Sequence, residues 1–118
     1  MRPEILGLLE DIHEAIGFVN EDTTAITFEA FMNDRRRRQA VERNFEIMGE
    51  AMNRLLRHAP DIAERITAAR QIVAFRNAII HGYDMIEYPN VWQIVHESLP
   101  ILRREIEHIL SEANRSAS

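Results

Sequence analysis

Cysteine is absent from this 118-residue chain, which removes disulfides, thiolate zinc sites and a cysteine nucleophile together. Lysine is absent as well: all 14 basic residues are arginine, the side chain whose planar fork suits phosphate best. Apolar runs such as Ile72 to Phe75 are far too short to span a bilayer. The opening Met1-Arg2-Pro3-Glu4 lacks the small-residue cleavage site of a signal peptide. A cytoplasmic protein with no membrane contact is therefore expected. Strand signals are missing too, with no sustained alternation and no Asn-Gly or Asp-Gly turn, and no internal repeat is present.

What remains has the balance of an ordinary globular protein, with 46% hydrophobic and 28% charged residues. The length suits one domain with a single core. It is expected to occupy residues 1–113, with 114–118 as a flexible tail. A net charge of −5 argues against a nucleic-acid partner on overall charge, but the all-arginine basic set leaves the partner open.

Helical periodicity runs through the whole chain. Ile5, Leu8, Leu9, Ile12, Ile16 and Val19 keep the three-four rhythm of a first amphipathic helix. Thr27 can cap a short turn from Phe28 to Met32. Asp34 can cap a second long helix with Val41, Phe45, Met48, Met52 and Leu55 on its stripe. Pro60 closes that segment, and Asp61 is expected to start a third helix. Between Ile72 and Ile80 the apolar residues leave no polar face, and a helix apolar all round is expected to be buried all round. Gly82 is placed to end it in a left-handed conformation. Pro89 fits the first turn of a fourth helix carrying Val91, Trp92, Val95, Leu99, Leu102, Ile106, Ile109 and Leu110, with a kink or break near Pro100. The predicted fold is all-α, an antiparallel up-and-down bundle of four main helices plus a short extra helix or turn.

The chemistry concentrates in Arg76-Asn77-Ala78-Ile79-Ile80-His81-Gly82-Tyr83. A guanidinium in the most apolar helix must be paired with a carboxylate or must line a cavity or interface. His81 lies roughly 140° around an ideal helix from Arg76, so the two converge only if the helix ends at His81. Facing one site, they suit phosphodiester cleavage: the imidazole moves protons near neutral pH, and the guanidinium stabilises charge on a phosphorane-like transition state. RNA carries its own nucleophile, the 2′-hydroxyl, so neither a metal nor a cofactor is required.

The segment from Arg76 through His81 to Tyr83 resembles the Arg-x4-His-x-Tyr motif of HepT-like proteins, a branch of the HEPN ribonuclease superfamily. Asp34-Arg35 and then Arg43-Asn44-Phe45-Glu46-Ile47-Met48-Gly49-Glu50-Ala51 are similar to that branch's second-helix signature. Trp92 and Leu99-Pro100 fall where its last helix carries such residues. The family often has a tryptophan shortly before the motif arginine, where this chain has Ala68 to Phe75 without one. The resemblance implies a homodimer with a composite cleft, RNA as substrate and a toxin's role. It also implies a minimal nucleotidyltransferase antitoxin of the MntA type that adds AMP to the motif tyrosine. By position it makes Arg76 and His81 catalytic, Asn77 and Tyr83 supporting, and Tyr83 the modification target. A non-catalytic nucleotide- or protein-binding module that partners such a nucleotidyltransferase is the alternative.

Arg35-Arg36-Arg37-Arg38 opens the second long helix, where cations oppose the macrodipole. Projecting the helix stripe backwards puts Arg37 and Arg38 near the core side. At least one is expected to pair with a carboxylate or face a dimer cleft. Arg35, Arg37 and Arg38 are candidate contacts to RNA phosphate. His58 lies near the C-terminal end of the second long helix, where a cation suits the dipole; His13, His96 and His108 have no second ligand at useful spacing, and Tyr88 reads as a half-buried ring anchoring its loop.

Overall fold

The structure, a computed structural model, describes residues 1–82 and 87–117. Its first helix, α1 (Pro3–Thr23), starts with proline in the first turn and buries Ile5, Leu9, Ile12, Ile16 and Val19, the i, i+4, i+7 face that the sequence spacing requires. Thr27 accepts the Ala30 N–H at 3.0 Å and caps the short α2 (Phe28–Met32). Phe31 of α2 is fully buried, with the Trp92 ring centroid 5.2 Å away. Asp34 then caps α3 (Arg35–His58), its carboxylate accepting the Arg37 N–H at 3.0 Å. The full predicted stripe of α3, Val41, Phe45, Met48, Met52 and Leu55, is buried.

The third long helix departs from expectation in its start. Pro60 opens only the one-turn α4 (Pro60–Ala63), and α5 (Ala69–Ile80) begins eight residues after Asp61. In between, Ile66 turns into the core, while the Thr67 N–H and hydroxyl donate to the Glu105 carboxylate at 3.1 and 2.7 Å. A carboxylate from the last helix thus satisfies the donor that a continuous helix would have used.

Burial corrects a second expectation. Only Ala69 and Ile72 of α5 are fully buried. Val73, Phe75, Ala78 and Ile79 are half-buried, Ala74 is exposed, and Ile80 is 50% exposed. The reason is topological: α5 packs chiefly on α3, with a Ser98–Gln71 hydrogen bond to the last main helix, and among the described residues no other long helix packs on it as extensively.

The last main helix runs as α6 (Tyr88–Gln93), a π-helical turn over Ile94–Ser98, and α7 (Leu99–Ala117). Pro89 sits in the first turn of α6. Pro100 has no N–H and crowds the carbonyl four residues back. The helix answers by widening one turn, so that the Leu99 N–H reaches the Ile94 carbonyl, and the break expected near Pro100 takes this form. Leu99, Leu102, Ile106 and Ile109 of α7 close the core against α1. With α1, α3 and α5 this gives an all-α bundle of four main helices. Among the described residues no helix is long and apolar enough to cross a membrane.

Candidate active site

The site is built where α3 and α5 approach each other most closely. Gly49 faces Arg76, and a Cβ at Gly49 would lie 2.1 Å from the Arg76 Cβ and 2.6 Å from its Cγ. Glycine in a helix interior costs about 0.5–1 kcal/mol relative to alanine, and here it frees the volume that the arginine stem fills. One residue on, Glu50 accepts from Arg76 Nη2 at 2.8 Å through Oε2 and from Arg54 Nε at 3.1 Å through Oε1. Arg76 Nη1 donates to Asn77 Oδ1 at 3.1 Å. The Arg76 side chain is 24% exposed, and its buried Nε–H finds no acceptor among the described residues. Held by Glu50 and Asn77 and partly exposed, the guanidinium can meet an anion only through its Nη groups.

Arg76 and Asn77 look out on different sides of α5. Arg76 and Ile80 line an open cavity of about 340 Å³ with Leu8, Asp11, Ile47 and Glu50. Asn77 lines a second one, of about 450 Å³, with Asn53, Arg57 and Arg70. The helix stops where the motif requires. His81 caps it with φ −76° and ψ −1°, the His81 N–H donates to the Asn77 carbonyl, and Gly82 follows at φ +61°. The His81 side chain is exposed at that end. It lies on the Asn77 side of the helix by spacing and lines neither of the two cavities. Asn77 connects the two sides, holding Arg76 while facing the second cavity. Tyr83 lies outside the described residues.

The arginine run divides by function. Arg37 Nε donates to Asp34 Oδ2 at 3.2 Å and its Nη1 to the Asp22 carbonyl at 3.0 Å. This pair and the cap hold the Asp34 carboxyl below its usual range, the Arg37 backbone N–H being the largest cause. Arg38 donates to the Met32 carbonyl and lies 5.4 Å from the Tyr88 ring centroid. Arg37 therefore ties the start of α3 to the end of α1, and Arg38 ties it to α2, whereas Arg35 is exposed. Tyr88 is half-buried and donates its hydroxyl to Glu42 at 2.8 Å. Burial, and then that carboxylate, raise the Tyr88 phenol above its usual pKa.

The remaining histidines serve the helix surfaces. His13 bonds Glu107 at 3.0 Å and His108 bonds Glu112 at 3.1 Å. The His96 ring lies against Trp92, with centroids 4.3 Å apart. Among the described residues no three His, Asp or Glu side chains gather as a metal would need.

Comparison with known proteins gives the family. The family model described as "Ribonuclease HepT-like" matches residues 12–109. The chain belongs to the HepT-like ribonuclease family. Its relatives include "Putative RNase MJ1380" of Methanocaldococcus jannaschii, 35% identical over 88% of this chain and 94% of that protein. "Probable ribonuclease HepT" of Thermococcus cleftensis is 35% identical over 86% of this chain and 91% of its own. No solved structure matches the chain.

Within this HepT-like frame, Gly49 and Glu50 are the site residues that sequence reasoning passed over. Both stand in the second-helix signature, yet neither carries a role that spacing alone assigns. The available signal was the glycine: unfavourable inside a helix, it marks a close approach by another element, and the acid beside it is then the natural partner for a buried cation.

Proposed function

We propose that this HepT-like chain is a metal-independent endoribonuclease that acts as a homodimer and serves as the toxin of a toxin–antitoxin pair. The observation that carries the reading is the Arg76 guanidinium. Glu50 and Asn77 orient it at the edge of an open cavity, on a helix that stops at His81. The RNA 2′-hydroxyl attacks the adjacent phosphorus and the bond to the 5′-oxygen breaks, leaving a 2′,3′-cyclic phosphate and a 5′-hydroxyl. His81 takes the hydroxyl proton or returns one to the leaving oxygen, and Arg76 stabilises the charge on the phosphorane. A second copy that covers the half-buried Ile79 and the exposed Ile80 would bring two such sets into one cleft, giving a base and an acid.

The Glu50 ion pair is also what the rival reading needs, since it lets Arg76 serve structure alone in a binding module. Cleavage separates the two. A folded His81→Ala protein should lose about 10²–10⁴-fold in RNA cleavage, with the wild-type activity surviving EDTA. Full activity in that variant favours the binding module. Light scattering should give roughly twice the 13.8 kDa of one chain, and a monomer would defeat the composite cleft.

Neutralisation by an MntA-type nucleotidyltransferase follows the family resemblance and rests on Tyr83. AMP on that phenol adds bulk and negative charge that compete with RNA phosphate for Arg76. Co-expression with such a partner should raise the chain's mass by AMP units on Tyr83, and Tyr83→Phe should remain toxic. Modification of Tyr88 instead would end this part of the proposal.

A further inference from the structure

The two cavities beside α5 differ in charge. In the one Arg76 lines, Arg43, Arg54 and Arg76 each hold a carboxylate, of Glu46 or Glu50. The other has Asn53 and Arg57 of α3 and Arg70 and Asn77 of α5 as its polar wall, over Leu56 and Val73. Among the described residues no carboxylate lines it, in a chain of net charge −5. Neither Arg57 nor Arg70 forms an ion pair among the described residues. Glu64 lines a cavity on the other side of Arg70 but is not paired with it.

Helix electrostatics accounts for only one of these cations. Arg57 occupies the last turn of α3, where positive charge meets the negative end of the dipole. Arg70 is the second residue of α5, a helix with no acid in its first turn, so its charge opposes the dipole and no carboxylate compensates it. Its position relates it to the motif. Arg70, Ala74, Asn77 and His81 follow at intervals of four, three and four, within about 60° of one another on an ideal helix, and all four are exposed. Arg70 stands about 16 Å along the axis from His81, a span of a few nucleotides of extended strand. Asn77 accepts from Arg76 through Oδ1, which leaves its amide N–H groups to donate.

We propose that this acid-free groove is an RNA subsite beside the reaction centre, where Arg57 and Arg70 hold backbone phosphates flanking the cleaved bond and Asn53 and Asn77 donate to phosphate or sugar oxygens. The proposal rests on the ribonuclease reading above. It explains how a chain of negative net charge retains a polyanion: the groove is locally positive, and among the described residues its arginines hold no carboxylate that RNA would have to displace.

The test uses the full chain with Arg57→Gln and Arg70→Gln combined, a mixed-sequence 20-nucleotide single-stranded RNA, and the dinucleotide UpA. For binding, the His81→Ala background keeps the 20-mer intact. Loss of two phosphate contacts should weaken 20-mer binding about 10-fold or more at low salt and flatten the log Kd against log salt slope by about 1.4. The advantage of the 20-mer over UpA in kcat/KM should shrink by a similar factor, about 10-fold. Circular dichroism and light scattering should match those of the parent. An unchanged salt slope in a folded double variant overturns the subsite while leaving the ribonuclease reading intact. A drop to monomer overturns it too, by assigning this face to the dimer contact. If the unmodified chain neither binds nor cleaves the 20-mer, the ribonuclease reading falls first and the subsite with it.

Discussion

Helices α3 and α5 face each other, yet their sequences and their burial run in opposite directions. The polar one, α3, carries arginines, glutamates and asparagines through most of its length and still buries Val41, Phe45, Met48, Gly49, Ala51, Met52 and Leu55. The apolar one, α5, buries only Ala69 and Ile72. Hydrophobic composition therefore does not rank these helices by depth. α3 lies in the middle of the bundle, with α1 packed on one side and α5 on the other, and a single stripe suffices to fill both contacts. α5 stands at the edge with α3 as its main intramolecular neighbour, so part of its apolar surface stays open.

Gly49→Ala should have the larger effect, because it strikes the seam where the two helices meet. Alanine gains up to about 1 kcal/mol of helix propensity. Its Cβ, however, would sit 2.1 Å from the Arg76 Cβ, a group fixed to backbone that cannot swing aside. Forcing the helices apart should cost about 1–3 kcal/mol, so destabilisation wins, visible as a lower midpoint in urea. Cleavage should fall as well, since the separation disturbs the Glu50 contact that aims Arg76. A Gly49→Ala protein of unchanged stability and activity would show that the close approach has no energetic role.

Ile80→Ser should do the reverse on the uncovered side. Ile80 is already 50% exposed, so the isolated chain loses at most about 1 kcal/mol of apolar burial. The effect should appear in association: sedimentation should report a dimer weakened at least about 10-fold, the loss of one well-packed apolar contact. If the unfolding midpoint instead fell as far as in Gly49→Ala while the dimer persisted, the contrast between a covered and an uncovered side would be wrong.

Much of the fold was legible because it depends on local rules. The stripes of α1 and α3, the Thr27 and Asp34 caps, the stop at Gly82 and the disturbance at Pro100 all follow from spacing and from the donors a residue has or lacks. Asp61 misled for the same reason: it has the chemistry of a helix start, but the Thr67 contact to Glu105 offered the backbone a better arrangement that no local rule contains. Arg37 and Arg38 were correctly placed toward the core by periodicity, whereas their partners, the Asp22 and Met32 carbonyls, could not be read from it.

The sequence by itself determined which side chains are candidates for the chemistry and that the chain is helical, because residue type and a 3.6-residue period are properties of the one-dimensional string. It also determined that Arg76 needed a partner, because a guanidinium in an apolar helix cannot be left without one. Only the tertiary structure decided that the partner is Glu50, shared with Arg54 and brought within 2.8 Å by a missing Cβ at Gly49. It alone put Arg76 and Asn77 in separate cavities, one of balanced charge and one that no carboxylate of the described residues lines. Those outcomes depend on how closely and at what angle two helices pack, and that is fixed by the sum of many contacts distant in sequence rather than by any short segment.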